Sequence, residues 1–227
     1  MIDSSLFARR RVDEALRALL AAEDSSVHGY TPAPGLPALR EALVRSLVRY
    51  VFPLSSEGVY VTCGRAAGAA ILNRALLEKG EEVLFLCPPD EDLRSAVEAV
   101  GAAAVEGGVI GGRTRLVVLS GDSPVTDDLA AQLRAAEERS GRPVWLLADR
   151  LAAAPYTEAL LHEHASFVLL EDFGGALDGE CLGFLAVGAD APEADTLCAA
   201  IAGAGRAMGY VNPPSLMQRA VLACLNG

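Results

Sequence analysis

The stretch YVTCGRAAGAAILNRALL, residues 60–77, passes from one kind of periodicity to another with no spacer between them. Its first residues are β-branched or aromatic, as a strand requires. From Arg65 onward, small and apolar residues recur at helical spacing as far as Lys79. The joint itself is Thr62, Cys63, Gly64, Arg65 and Ala66. A strand that runs straight into a helix is the unit of a parallel α/β sheet, and such sheets bind ligands beyond the carboxyl ends of their strands. Gly64 lets the backbone approach a ligand closely, the unpaired N–H groups of the new helix favour an anion, and Arg65 adds charge. A tight turn with its arginine in solvent explains the same residues, and the sequence leaves both readings open.

Outward from this joint the alternation continues. Short apolar runs recur at Val59–Thr62, Val83–Leu86, Ala103–Val105, Leu116–Ser120, Val144–Ala148, Phe167–Leu170 and Leu182–Val187. Helical patterns at Arg65–Lys79, Glu91–Val100 and Asp127–Ser140 separate several of them. This predicts an α/β, three-layer domain with a mostly parallel seven-stranded mixed sheet and helices on both faces. The last two runs are joined by a short polar, Gly-rich loop with no clear helix, which points to one antiparallel strand there. Helices are also predicted at Leu6–Glu23 (within an N-terminal helical segment, 1–25), Pro37–Val51, Glu193–Met208 and Ser215–Leu225. With no internal repeat and no linker, residues 1–227 form a single expected domain.

Composition narrows the function classes. A net charge of −11 opposes nucleic-acid binding, which needs clustered Lys and Arg, and the run Arg9–Arg11 is followed at once by Asp13 and Glu14. No apolar run reaches the ~18 residues of a membrane span, and the first residues lack the apolar core of a secretion signal. The five cysteines are odd in number and form no CxxC pair, which fits reduced thiols in a cytoplasmic protein.

Several short motifs fail on context. GAGRAMG (203–209) has Met208 where a dinucleotide loop needs its third glycine, and no strand precedes it. DFG (172–174) lacks every companion motif of a kinase. HEH (162–164) falls at the end of a predicted helix and not in a strand that would align its imidazoles, so no metal site is expected. VWLLADR delivers Asp149 just past an apolar strand, either as a ligand contact or as a soluble strand end; continued strand geometry would turn Arg150 to the opposite face.

The order of motifs from about Tyr30 to Leu225 resembles the large domain of fold-type I, pyridoxal-phosphate-dependent aminotransferases of class I/II. HGYTPAPGLPALREAL (28–43) is similar to the family's opening "Y…G…LREA" segment, and YVTCGRAAGAA to the strand-turn-helix that holds the cofactor phosphate. LLEKGEEVLFLCPP, RLVVLSGDSPVT, ADRLAAAPY, LGFLAVG and PPSLMQRAVLACL resemble later segments in family order. The resemblance implies cofactor-binding roles at Gly64, Arg65, Ala66, Ser123 (near the family's NPTG asparagine) and Asp149 (the acid that pairs with the pyridine nitrogen), here read as vestigial.

The same resemblance shows what is missing. Where the family writes "SFSKxxG…GxRxG", this chain has EDFGGALDGECLG, which puts Gly175 at the Schiff-base lysine and Cys181 near the phosphate-holding arginine. The ring-stacking aromatic falls near Asp90. The single lysine, Lys79, lies between a helix and a strand, at the amino edge of the sheet, roughly 15 Å from the ligand rim for a strand of about five residues. The chain also stops where a small C-terminal domain would begin, so that domain is expected to be absent. The expectation is a catalytically degenerate aminotransferase-like protein, with no catalytic residues and no covalently bound cofactor. It would act as a scaffold or partner-binding subunit, as a homodimer or beside another protein such as an active paralogue. Two alternatives stand beside it: a non-covalent binder of pyridoxal phosphate or another anionic small molecule, and an enzyme with divergent, lysine-independent chemistry using Asp149 or Cys181.

Overall fold

A computed structural model describes residues 7–22, 25–47, 53–120, 123, 126, 128–150, 160–161, 163–173, 175–210 and 212–227. The expected helix limits at Leu6, Glu23 and Val51, the helix start at Asp127, and His162 lie outside the described residues.

Among the described residues the chain runs α1 (Arg9–Ala21), α2 (Pro37–Leu47), β1 (Leu54–Thr62), α3 (Gly64–Leu76), β2 (Glu82–Phe85), α4 (Glu91–Glu98), β3 (Ala103–Glu106) and β4 (Thr114–Leu119). It continues through α5 (Leu129–Ser140), β5 (Trp145–Asp149), β6 (Phe167–Asp172), β7 (Gly183–Gly188), α6 (Ala194–Ala207) and α7 (Ser215–Asn226). Short 3-10 turns lie at Ser25–His28 and Gly175–Glu180.

The seven strands form one sheet in the order β1-β7-β6-β5-β4-β2-β3. β2 through β6 pair in parallel, and β7 is antiparallel to both β6 and β1. Alternation within each strand divides the core in two. On one face Val117, Leu119, Phe167 and Leu169 pack with residues of α2, α5 and α7. On the other, Leu116, Val118, Val168 and Leu170 pack with residues of α3, α4 and α6. Strands buried on both faces read as continuous apolar runs, which is why LVVL, WLLA and FVLL were visible in the sequence.

β1 departs from its expected limits. It begins at Leu54 and not at Val59, with an irregular register between those two residues. β1 is a sheet-edge strand, so Ser55, Ser56 and Glu57 lie in it only partly covered or exposed, and polar residues there carry no period-2 signal.

Candidate functional site at the carboxyl rim

Gly64 stands at φ +86, a conformation that glycine adopts at little cost, and it turns β1 directly into α3. This aims the first residues of α3 at the carboxyl ends of the parallel strands. β5 ends at Asp149 on the same rim, and the loop after β2 brings Asp90 there as the N-cap of α4, where its Oδ1 accepts from the Leu93 N–H at 3.0 Å.

These three residues meet. The Arg65 guanidinium donates through Nε to Asp149 Oδ1 at 2.6 Å and through Nη2 to Asp149 Oδ2 at 2.7 Å. Its remaining nitrogen, Nη1, lies 2.7 Å from Asp90 Oδ2. Arg65 and Asp149 side chains are 8% and 4% exposed, whereas Asp90 is 49% exposed. A planar fork matched to a carboxylate is the strongest ion-pair geometry available to side chains. Burial alone would push the Arg65 guanidinium down; the hydrogen bonds and charge of Asp149, joined by Asp90, outweigh it and hold arginine above its ordinary value.

Asp90 shows the same competition. Burial raises its carboxyl, but the Leu93 N–H and the charge of Arg65 hold it below the usual range. A group whose folded pKa is depressed stabilises the fold above its unfolded pKa, about 3.9 for aspartate, and loses that contribution as pH falls through the folded value. Asp90→Asn keeps a capping oxygen and removes the charge, so it should cost about 0.5–1 kcal/mol at neutral pH, in keeping with a half-exposed group. Denaturant titrations of both proteins should show that difference shrinking as pH falls below the unfolded value and through the folded one.

Two cavities flank Arg65. One, of about 240 Å³, is bounded by Arg65, Cys87, Asp90, Ser120, Asp149 and Arg150. The other, of about 320 Å³, opens over Cys63, Gly64 and Ala66 and is closed by Arg150, Asp172 and Cys181. Arg150 therefore does not leave for the opposite face, as strand continuation required. Its φ of +48 breaks the extended backbone, and its guanidinium pairs with Asp172 at 3.0 Å on the site side. Ser123 sits just behind the first cavity: its Oγ accepts from the Ser120 N–H at 2.8 Å and donates to Cys87 Sγ at 3.7 Å. The Cys87 and Ser120 side chains are themselves 2.7 Å apart.

Gly64, Arg65, Ala66 and Asp149, singled out from sequence, thus surround one rim, with Ser123 adjacent to it. Gly175 begins the 3-10 turn after β6, whose Leu177 lines the second cavity. The sequence reading gave Asp90 no partner and missed the rim position of Arg150. Asp90 carried one signal, an aspartate placed just before the helical run EDLRSAVE. Lys79 lies in the turn between α3 and β2, its side chain against Gly101, at the amino edge of the sheet. No cluster of three metal-ligating side chains occurs among the described residues, and none of the described helices is long and apolar enough to cross a membrane. His164 is buried and hydrogen-bonded to the Val144 carbonyl at 2.7 Å.

This arrangement of sheet, crossover helices and rim defines the large-domain fold of class I and II aminotransferases. The family model for aminotransferase class I and II matches residues 4–103. An amino transferase from Eubacterium rectale superposes with a TM-score of 0.87 at 25% identity, covering 97% of this chain and 64% of that one. YbdL from Escherichia coli, for which a methionine aminotransferase function is identified, gives 0.75 at 20% identity, covering 96% and 63%. Thermus thermophilus aspartate aminotransferase with maleate gives 0.75 at 21%, covering 95% and 61%. No curated protein matches the sequence. The chain thus has the large-domain fold of the fold-type I, pyridoxal-phosphate-dependent aminotransferases, with the family model matched over residues 4–103, and it spans less than two thirds of the length of these structures.

Proposed function

We propose that this chain is a catalytically degenerate member of the family, acting as a scaffold or partner-binding subunit through contacts with a second copy of itself or another protein, such as an active paralogue. The observation that carries the loss of catalysis is the fork of Arg65 on Asp149. In the resemblance, Asp149 stands where the family's acid meets the pyridine nitrogen; here both of its oxygens are taken by a buried guanidinium. Asp90, at the place of the stacking aromatic, closes the other side of that guanidinium. The rest of the rim points the same way. The two cavities are lined by Arg65 and Arg150 against Asp90, Asp92, Asp149 and Asp172, so 2 positive minus 4 negative charges leave −2. Such a rim repels a phosphorylated ligand unless a group there takes up a proton.

A general base or nucleophile delivered by lysine is missing from the same rim, because Lys79 sits at the far edge, roughly 15 Å away along strands that rise ~3.3 Å per residue. The residues present do not fit a covalently held pyridoxal phosphate, and no catalytic step is assigned to them.

Contact with a partner is supported by the Tyr30–Leu36 segment. Tyr30 is 97% exposed. The segment carrying it is pinned from below: buried Gln218 accepts from the Leu36 N–H at 2.8 Å and donates to Thr31 Oγ1 at 3.2 Å. An aromatic side chain held out on an ordered loop loses little entropy on docking.

Adding pyridoxal phosphate, reducing with borohydride and mapping the peptides tests the first half. No adduct should appear on the rim, and labelling confined to Lys79 or the N-terminal amine is non-specific. A reduced adduct on a rim residue overturns it. Light scattering at tens of micromolar tests the second: self-association, weakened by Tyr30→Ser, is expected. A clean monomer that also fails to bind an intact paralogue overturns the partner reading.

A further inference from the structure

We propose that Cys63 and Cys181 form a redox-sensitive pair, whose disulfide would strap the β1–α3 joint to the segment entering β7, across the cavity over Gly64 and Ala66. The pairing register sets them together. β1 and β7 are antiparallel with Thr62 opposite Gly183; continuing that register puts Cys63 level with Leu182 and Gly64 level with Cys181, so the two cysteines are diagonal neighbours, one residue out of register. A Cβ placed on Gly64 would lie 3.5 Å from both Cα and Cβ of Cys181, so the β1–α3 joint touches Cys181 one residue beyond Cys63. Both cysteines line the same cavity.

Neither residue is in regular strand geometry, so the alternation that would separate their side chains does not apply. Cys63 has φ −78 and ψ 60, and Cys181 has φ +47, a left-handed conformation unfavourable for a residue with a Cβ. The exposures differ as a sensor pair requires: Cys181 is exposed, and Cys63 is half-buried. Burial, together with the charge of Cys181, pushes the Cys63 thiol up; the exposed Cys181 is the one an oxidant in solution reaches first, which leaves Cys63 as the resolving thiol.

The oxidant is a hydroperoxide. The Cys181 thiolate attacks one peroxide oxygen and the O–O bond breaks; with hydrogen peroxide, the departing hydroxide takes a proton and leaves as water, giving a sulfenic acid. The Cys63 sulfur then displaces the sulfenic hydroxyl, which leaves as a second water carrying the Cys63 proton, and the S–S bond forms. Two thiols lose two electrons in all, and the peroxide gains them.

The experiment is mild treatment of the whole chain with hydrogen peroxide at low micromolar concentration, followed by alkylation and non-reducing peptide mapping. The expected result is an intrachain peptide pair joined through Cys63 and Cys181, two mass units lighter than the reduced pair and reversed by dithiothreitol. Cys63→Ser or Cys181→Ser should abolish it, while Cys87→Ser and Cys198→Ser should leave it intact. Amide exchange in the peptide covering Gly64–Ala67 should slow at least several-fold in the oxidised protein. Absence of the linked pair, a crosslink found only between chains, or Cys181 ending as sulfinic acid while Cys63 stays reduced overturns the pair. Unchanged exchange over Gly64–Ala67 overturns the strap. None of these readouts depends on partner binding or on pyridoxal phosphate.

Discussion

Replacing Arg65 by methionine should destabilise the protein by about 3–5 kcal/mol at neutral pH, because it leaves the 4%-exposed Asp149 carboxylate without its counter-charge. For a chain of this length that corresponds to a fall in Tm of roughly 6–20 °C. The partner substitution is not its mirror image. Asp149→Ala leaves Arg65 with Asp90 at 2.7 Å, so it should cost less, about 1–3 kcal/mol, and the protein should still fold. The double variant Arg65→Met with Asp149→Leu should recover most of the loss, since a buried ion pair exchanged for well-packed apolar groups is often neutral. Chemical denaturation of the wild type, Arg65→Met, Asp149→Leu and the double variant gives the coupling energy directly. If Arg65→Met matches the wild type within 1 kcal/mol, the fork is not a buried pair, and the closed-rim reading of this site falls with it.

That cycle also bears on how much of the site could be read in advance. Residues 65 and 149 are 84 positions apart; the sequence places each beside a strand end and offers Arg65 as an arginine that could pair with an Asp149 left without a cofactor. Their rim positions follow from strand-helix alternation, because β1 and β5 both deliver their carboxyl ends to one edge. Which oxygen meets which nitrogen is a matter of rotamers and neighbouring loops, and no local pattern encodes it. Arg150 shows the limit more sharply. Two alternating residues on one strand belong on opposite faces, but a single positive φ swings Arg150 back beside Asp149. Charged residues rarely announce such a break, as a glycine would.

The fold was more legible than the site for a related reason. Burial of the β2, β4, β5 and β6 interiors on both faces imposes apolar runs that survive in the sequence as VLF, LVVL, WLLA and FVLL. The antiparallel β7 was readable because only a short 3-10 turn and a few residues separate it from β6, too few for a parallel crossover. Where burial is one-sided, as in the polar half of β1, the pattern fades and so did the expected limits.

The second large effect is expected at Gly35, whose substitution by alanine should cost about 3 kcal/mol or more, through backbone and packing at once. Gly35 has φ +98, where an L side chain is strained whatever room it has. There is no room either: an added Cβ would stand 2.4 Å from Val61 Cγ2 and 2.7 Å from Val61 Cβ. Val61 is fully buried in β1, and its N–H donates to the Pro34 carbonyl at 3.0 Å, so neither side of the contact can step aside without breaking that bond. The loop must therefore lift. Lifting it releases the Leu36 N–H from Gln218, whose side chain is wholly buried, and loosens the segment that presents Tyr30. Gly35→Ala should thus lower stability and weaken self-association together, whereas Tyr30→Ser should weaken association and leave stability within about 0.5 kcal/mol. Thermal melts paired with sedimentation of both variants separate the two effects. A Gly35→Ala protein as stable as the wild type would mean that the loop does not rest on Val61, and the pinned presentation of Tyr30 would lose its physical basis.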